Sequence, residues 1–222
     1  MEFTGNLFSP ALWWGTLLAM GLLLAAAIRF APWRALMADP ARGNGWLAAI
    51  VGLMMLWLLR TEVSAGLEFH LLGVTALTLM QGWALGLLGA SLALLGVTLA
   101  GWNDWAAFPF SLITVALAPV SISYLFLLLV RQFLPRHFFV FVFINAFVAG
   151  GLTGMLCGYL SAALLAASGV TSYAALEDSL LPFFPIMFFP EAVLNGWIIT
   201  LLVVFKPEWV YSFRDEEYLR GK

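Results

Sequence analysis

The chain has 222 residues, of which 63% are hydrophobic and 10% charged, with a mean hydropathy of +0.99. A water-soluble domain carries about 25% charged residues, so this chain has too little polar surface to cover a soluble globule of its length. Its net charge of −2 leaves no basic surface for nucleic acid; what remains is an all-α, polytopic membrane protein with one membrane domain over 1–222.

A membrane helix needs about 20 apolar residues, and hydropathy predicts seven, packed as a compact bundle. The opening Met1-Glu2-Phe3-Thr4-Gly5-Asn6 lacks the basic flank of a signal peptide, so the first helix, 9–30, is expected to be retained. Next come 46–59, which is short, and 68–80, which ends before Gln81-Gly82. The rest are 83–100, 109–133, 138–167 and 180–205, with a tail over 206–222. Segments 68–80 and 83–100 are nearly continuous in hydropathy, and fusing them would leave six helices.

Charge separates the two arrangements. With seven helices, the N-terminus outside and the C-terminus cytoplasmic, the inner side holds Arg29, Arg34, Arg42, Arg131, Arg136, Lys206, Arg214, Arg220 and Lys222. Only Arg60 then lies outside, as the positive-inside rule asks. The same arrangement puts Glu2, Glu62, Glu68, Asp104, Glu177 and Asp178 outside, where they would concentrate cations or simply reflect the exclusion of basic residues. The expected location is the bacterial inner membrane.

Glycine spacing points to close helix packing, through Gly82-x-x-x-Gly86 and the run Gly150, Gly154, Gly158. Trp13, Trp14, Trp33, Trp102, Trp105 and Trp209 fall near predicted boundaries, as interfacial anchors do.

An ionisable residue inside the membrane is costly and marks a functional candidate. Glu191 is the clearest, about eleven residues into the last helix, with Asn195 one turn on along the same face. Pro190 is expected to kink that helix. Glu191 and Asn195 would form a polar intramembrane site for transport or coupling, or a structural hydrogen bond between helices. His70 sits beside Glu68 at the predicted mouth of the third helix; it is either a capping residue or a metal ligand. His137, beside Arg136, reads as interfacial, and the lone Cys157 as a small buried hydrophobe. No P-loop, nucleophile elbow or His-Glu-x-x-His is present, so no catalytic residues are assigned and an enzyme is not expected.

Three stretches together resemble one family, the cobalt/nickel permeases of energy-coupling-factor transporters. Met1-Glu2-Phe3-Thr4-Gly5-Asn6-Leu7-Phe8-Ser9-Pro10 is similar to the family's opening, which ends in the same Ser-Pro. Phe69-His70-Leu71-Leu72-Gly73 resembles the family's Gly-His-Leu-Leu-Gly, and the last helix, with Glu191, Gly196, Thr200 and the exit Lys206-Pro207-Glu208-Trp209, resembles its closing helix. The resemblance implies a substrate-binding membrane subunit for a divalent ion such as nickel or cobalt. It also implies partners in the bilayer: a transmembrane coupling protein and separate ATPase subunits. Carried over, the ligands are the Met1 amine, the backbone and side chain of residue 2, and His70, with Glu68 behind them. Where the family has histidine, this chain has Glu2, which offers oxygen instead of nitrogen and weakens a preference for square-planar nickel. The alternative is a non-transporting membrane subunit or assembly factor that keeps the same scaffold.

Overall fold

The chain was analysed as a computed structural model, which describes residues 2–5, 7–64 and 66–218. Among them, four helices are long and apolar enough to cross a membrane: Pro10–Phe30, Phe108–Phe133, Phe138–Ala167 and Leu181–Phe205. Shorter apolar helices complete a multi-pass membrane protein. Large side chains such as Leu18, Leu22, Phe30, Trp197 and Phe205 stand exposed on the bundle's outside, where lipid takes the place of a core.

Helix α1 (Pro10–Phe30) starts at an N-cap, Ser9, whose hydroxyl accepts from the Leu12 amide. Helix α2 (Trp33–Ala38) is a single short segment, and α3 (Pro40–Trp57) begins six residues before the predicted 46. Asp39 sets that start, because its carboxylate accepts from Ala41 and Arg42 while Pro40 occupies the first turn.

The predicted helix 68–80 is corrected most. Strand β1 (Glu2–Phe3), strand β2 (Thr61–Ser64) and strand β3 (Leu67–Phe69) form an antiparallel sheet in the order β1-β3-β2. Glu68 therefore lies in a strand, and the helix α4 begins only at Val74 and ends at Gln81. Glycines in left-handed conformation bound it, Gly73 at φ 66° and Gly82 at φ 82°. All eight α4 residues are buried, so hydropathy alone could not tell this short internal helix from a membrane span. Gly82 is thus the turn into α5 (Trp83–Leu99). Gly86 packs at ordinary distance, since a Cβ there would stand 3.5 Å from Thr78.

Helix α6 (Phe108–Phe133) and helix α7 (Phe138–Ala167) each contain a wide π-helical stretch, at Leu112–Leu117 and Phe141–Val148. The first precedes Pro119, which has no amide hydrogen to offer the preceding turn. After α8 (Tyr173–Ser179), the predicted helix 180–205 is broken into short turns over Leu181–Phe183 and Phe184–Met187. The long helix α9 (Phe189–Phe205) starts only after Phe188. Pro182, Pro185 and Pro190 explain the breaks, each removing a helical donor.

Helix α4 is the hub, packing against α3, α5, α6, α7 and α9. The core beneath the sheet holds Phe3, Leu67, Phe110, Leu176, Phe184 and Phe188. A second cluster at the other end of α4 joins Met80, Phe141, Ile199, Phe213 and Tyr218.

Candidate functional site

The sheet brings the first residues of the chain onto the strand before α4. Glu2 stands opposite Glu68, and Glu62 stands opposite Glu68 from the other side. Three acidic residues in one cross-strand row repel one another, and Arg60 answers them. Its Nη1 lies 2.9 Å from Glu2 Oε2 and 3.1 Å from Glu68 Oε2. The same nitrogen is 2.7 Å from the Trp102 carbonyl, and Nε donates to the Trp57 carbonyl at 2.9 Å. The 100–107 loop also holds the strand's far end, where Asp104 Oδ2 accepts from the Gly5 amide at 2.7 Å.

His70 follows β3 directly. Its Nδ1 lies 3.0 Å from the Leu71 carbonyl; an acceptor there assigns the proton to Nδ1 and leaves the Nε2 lone pair free. That Nε2 faces Glu2 Oε1 at 3.5 Å, and both atoms are buried without a hydrogen-bond partner among the described residues. Burial holds the His70 imidazole well below its ordinary pKa, so the contact joins a neutral ring to a carboxylate and is no ion pair. Burial also pushes the Glu2 carboxyl up, with the Arg60 guanidinium pulling against it. The Trp57 ring lies 5.5 Å from the imidazole, and its Nε1 donates to the Leu72 carbonyl at 2.9 Å.

Glu191 lies ten residues past the start of the Leu181–Phe205 span, in the first turn of α9, where the helix resumes at Phe189. Its Oε2 accepts from the Leu72 amide at 2.7 Å, and its Oε1 from the Gly73 amide at 2.8 Å. Asn195 donates to Glu191 Oε1 at 2.6 Å and accepts from the Ala76 amide at 2.8 Å. These two side chains cap α4 from another helix, placing an anionic group at its N-terminus. Every contact asks Glu191 to accept, and its place in the fold is the clamp on Leu72–Gly73, two residues past His70.

The glycine run of α7 makes room for this clamp. A Cβ at Gly150 would stand 3.0 Å from Asn195, and one at Gly154 would stand 2.7 Å from Phe188 and 3.1 Å from Glu191. At Gly158 it would meet Phe188 at 2.6 Å.

Of the residues singled out by sequence, Glu2 and His70 come together, and Glu68 reaches them through Arg60. Met1 lies outside the described residues. Among the described residues, no group of three His, Cys, Asp or Glu side chains converges for a metal. His137 caps a helix start, accepting from the Phe139 amide at 3.2 Å. Sequence reading missed Arg60, Trp102 and Asp104 as parts of the site. One signal was available: in the seven-helix arrangement expected from the sequence, Arg60 is the single basic residue on the outer side.

An ion that takes oxygen and nitrogen donors could use this pair, since 3.5 Å lets one ion reach both atoms at about 2.1 Å from each. The sequence matches the family described as "Cobalt uptake substrate-specific transmembrane region" (CbiM) over residues 4–209. No curated protein sequence matches it. Two crystal structures share its fold. A transition metal transporter aligns with a TM-score of 0.76 and 17% identity, covering 100% of both chains. A truncated transition metal transporter aligns with a TM-score of 0.72 and 18% identity, covering 92% of this chain and 99% of its own.

Proposed function

The chain belongs to the cobalt-uptake substrate-specific transmembrane family, and from that premise we propose that it is the ion-binding membrane subunit of a metal uptake transporter. The observation that carries the reading is the buried, unpartnered pair Glu2 Oε1 and His70 Nε2. Leaving two such atoms unsatisfied costs about 1–3 kcal/mol each, a cost that a shared cation removes. The substrate is a divalent transition ion; imidazole suits nickel and cobalt, and a carboxylate oxygen relaxes the preference for a nitrogen-only square plane. The Met1 amine supplies a further donor in this reading.

In this reading the chain crosses the membrane seven times with its N-terminus outside, the third crossing being made by the stretch at Leu72–Gly73 together with the short α4, so the sheet with Glu2 and His70 faces the exterior. It works as an energy-coupling-factor component in the bacterial inner membrane, with ATP hydrolysed by separate subunits through a coupling protein. Basic residues concentrated on one side support that orientation.

A second reading, a non-transporting subunit of a membrane complex, draws on one observation: Arg60 already supplies a cation to Glu2. The test is to purify the chain with its own N-terminus free and measure bound nickel, cobalt, copper and zinc beside His70→Ala. Wild-type metal well above the variant is expected. Equal metal content in the two, with stable copurification in a complex lacking ATPase subunits, would replace the transporter reading with the second one.

A further inference from the structure

Arg60 stands where a bound cation's charge would act, and the proposed function leaves it unexplained. Its side chain is 9% exposed and that of Glu2 is 0% exposed. It holds one Glu2 oxygen while the other faces His70. Among the described residues its Nη2 is buried without a hydrogen-bond partner, so the guanidinium is held through Nη1 and Nε alone. With His70 neutral, Glu2, Glu68 and Arg60 sum to a formal −1. A divalent ion added beside them would leave the buried cluster at +1, and with Arg60 withdrawn the sum is zero. An arginine cannot relieve that repulsion by losing a proton; it can only move.

We propose that Arg60 is a displaceable internal counter-cation: it neutralises Glu2 when the site is empty and leaves when a divalent metal ion binds. This rests on the metal-site reading above and adds a gate to it. The Nη1 atom that holds Glu2 also holds the Trp102 carbonyl, and Gly101 beside it has φ 80°. Departure of the guanidinium therefore loosens the 100–107 loop at Trp102, while Asp104 still holds the Gly5 amide, and metal occupancy is reported at the surface as faster exchange around Trp102. The guanidinium sets specificity by charge as well, because an ion too weakly bound by Glu2 and His70 cannot expel it.

The test titrates nickel chloride into detergent-solubilised wild type, Arg60→Gln, Arg60→Lys and His70→Ala, all with a free N-terminus, and follows amide exchange over 100–107. Arg60→Gln should bind nickel about tenfold more tightly or better, since one like charge a few ångströms away is removed, while Arg60→Lys stays close to wild type. Nickel should speed exchange of the loop in wild type. His70-dependent nickel binding by wild type, with no gain in Arg60→Gln and no change in loop exchange, overturns the role of Arg60 and leaves the metal site standing. Binding by neither protein above His70→Ala overturns both. Should Arg60→Gln fail to fold, loop exchange in wild type with and without nickel decides alone.

Discussion

Replacing Glu191 with alanine tests the clamp at its centre. The carboxylate accepts from the Leu72 and Gly73 amides and from Asn195 Nδ2, in a site where no water replaces it. Two backbone donors would be left buried and unpaired, at about 1–3 kcal/mol each, and the charge at the α4 N-terminus would go, at about 0.3–1 kcal/mol or more. The sum is a loss of about 2–7 kcal/mol. At about 2–4 °C per kcal/mol for a chain of this size, thermal unfolding in detergent, read by intrinsic fluorescence, should fall by about 5–28 °C. Glu191→Gln should recover less than half of that, because its amide turns a donor toward one of the two backbone donors. A drop below about 2 °C for the alanine variant, smaller than one unpaired donor would give, would refute the clamp. Nickel affinity should fall in parallel, since Leu72 lies two residues from His70.

The same logic gives three further outcomes. Gly154→Val should destabilise by about 1–3 kcal/mol through overpacking against Phe188 and Glu191, whereas Gly86→Ala, with 3.5 Å to its nearest neighbour, should leave the melting temperature almost unchanged. Acidification should weaken the fold through His70: its folded pKa lies well below 6.5, so as pH falls below 6.5 the unfolded chain gains a proton the folded ring refuses. The slope is at most about 1.4 kcal/mol per pH unit, and melting curves of His70→Asn against pH should lack it. Asp104→Ala removes the acceptor of the Gly5 amide and should cost about 1–2 kcal/mol, with faster amide exchange in β1.

The apolar segments were legible in the sequence because hydropathy reports burial in lipid, whatever the partners. Pro190 predicts a kink in the last helix, and the helix is interrupted just before it and resumes at Phe189. The three-stranded sheet was not legible: Glu2–Phe3 and Leu67–Phe69 are too short to carry an alternating pattern, and they pair across more than sixty residues. The position of α4 was hidden for a different reason. An eight-residue helix buried on every side has the composition of a membrane span without its length. At the site, His70 stood out from the residues and Glu2 entered by family resemblance, while Arg60 needed the fold, since a lone arginine reads as a solvated charge until its acceptors are known.

The capping of α4 also constrains biogenesis. Its first amides are satisfied by Glu191 and Asn195, which emerge from the ribosome 118 or 119 residues later. Its last carbonyls, on Leu79 and Met80, receive Ser212 and Tyr211. Until the C-terminal part is synthesised, this segment has unsatisfied polar ends that hydrocarbon will not tolerate. It must wait in the translocon or at the aqueous boundary, and its insertion becomes the closing step of assembly. A nascent chain halted before Glu191 should therefore display the Leu71–Gln81 stretch to proteases and quality-control machinery, making the final helix the checkpoint for the whole subunit.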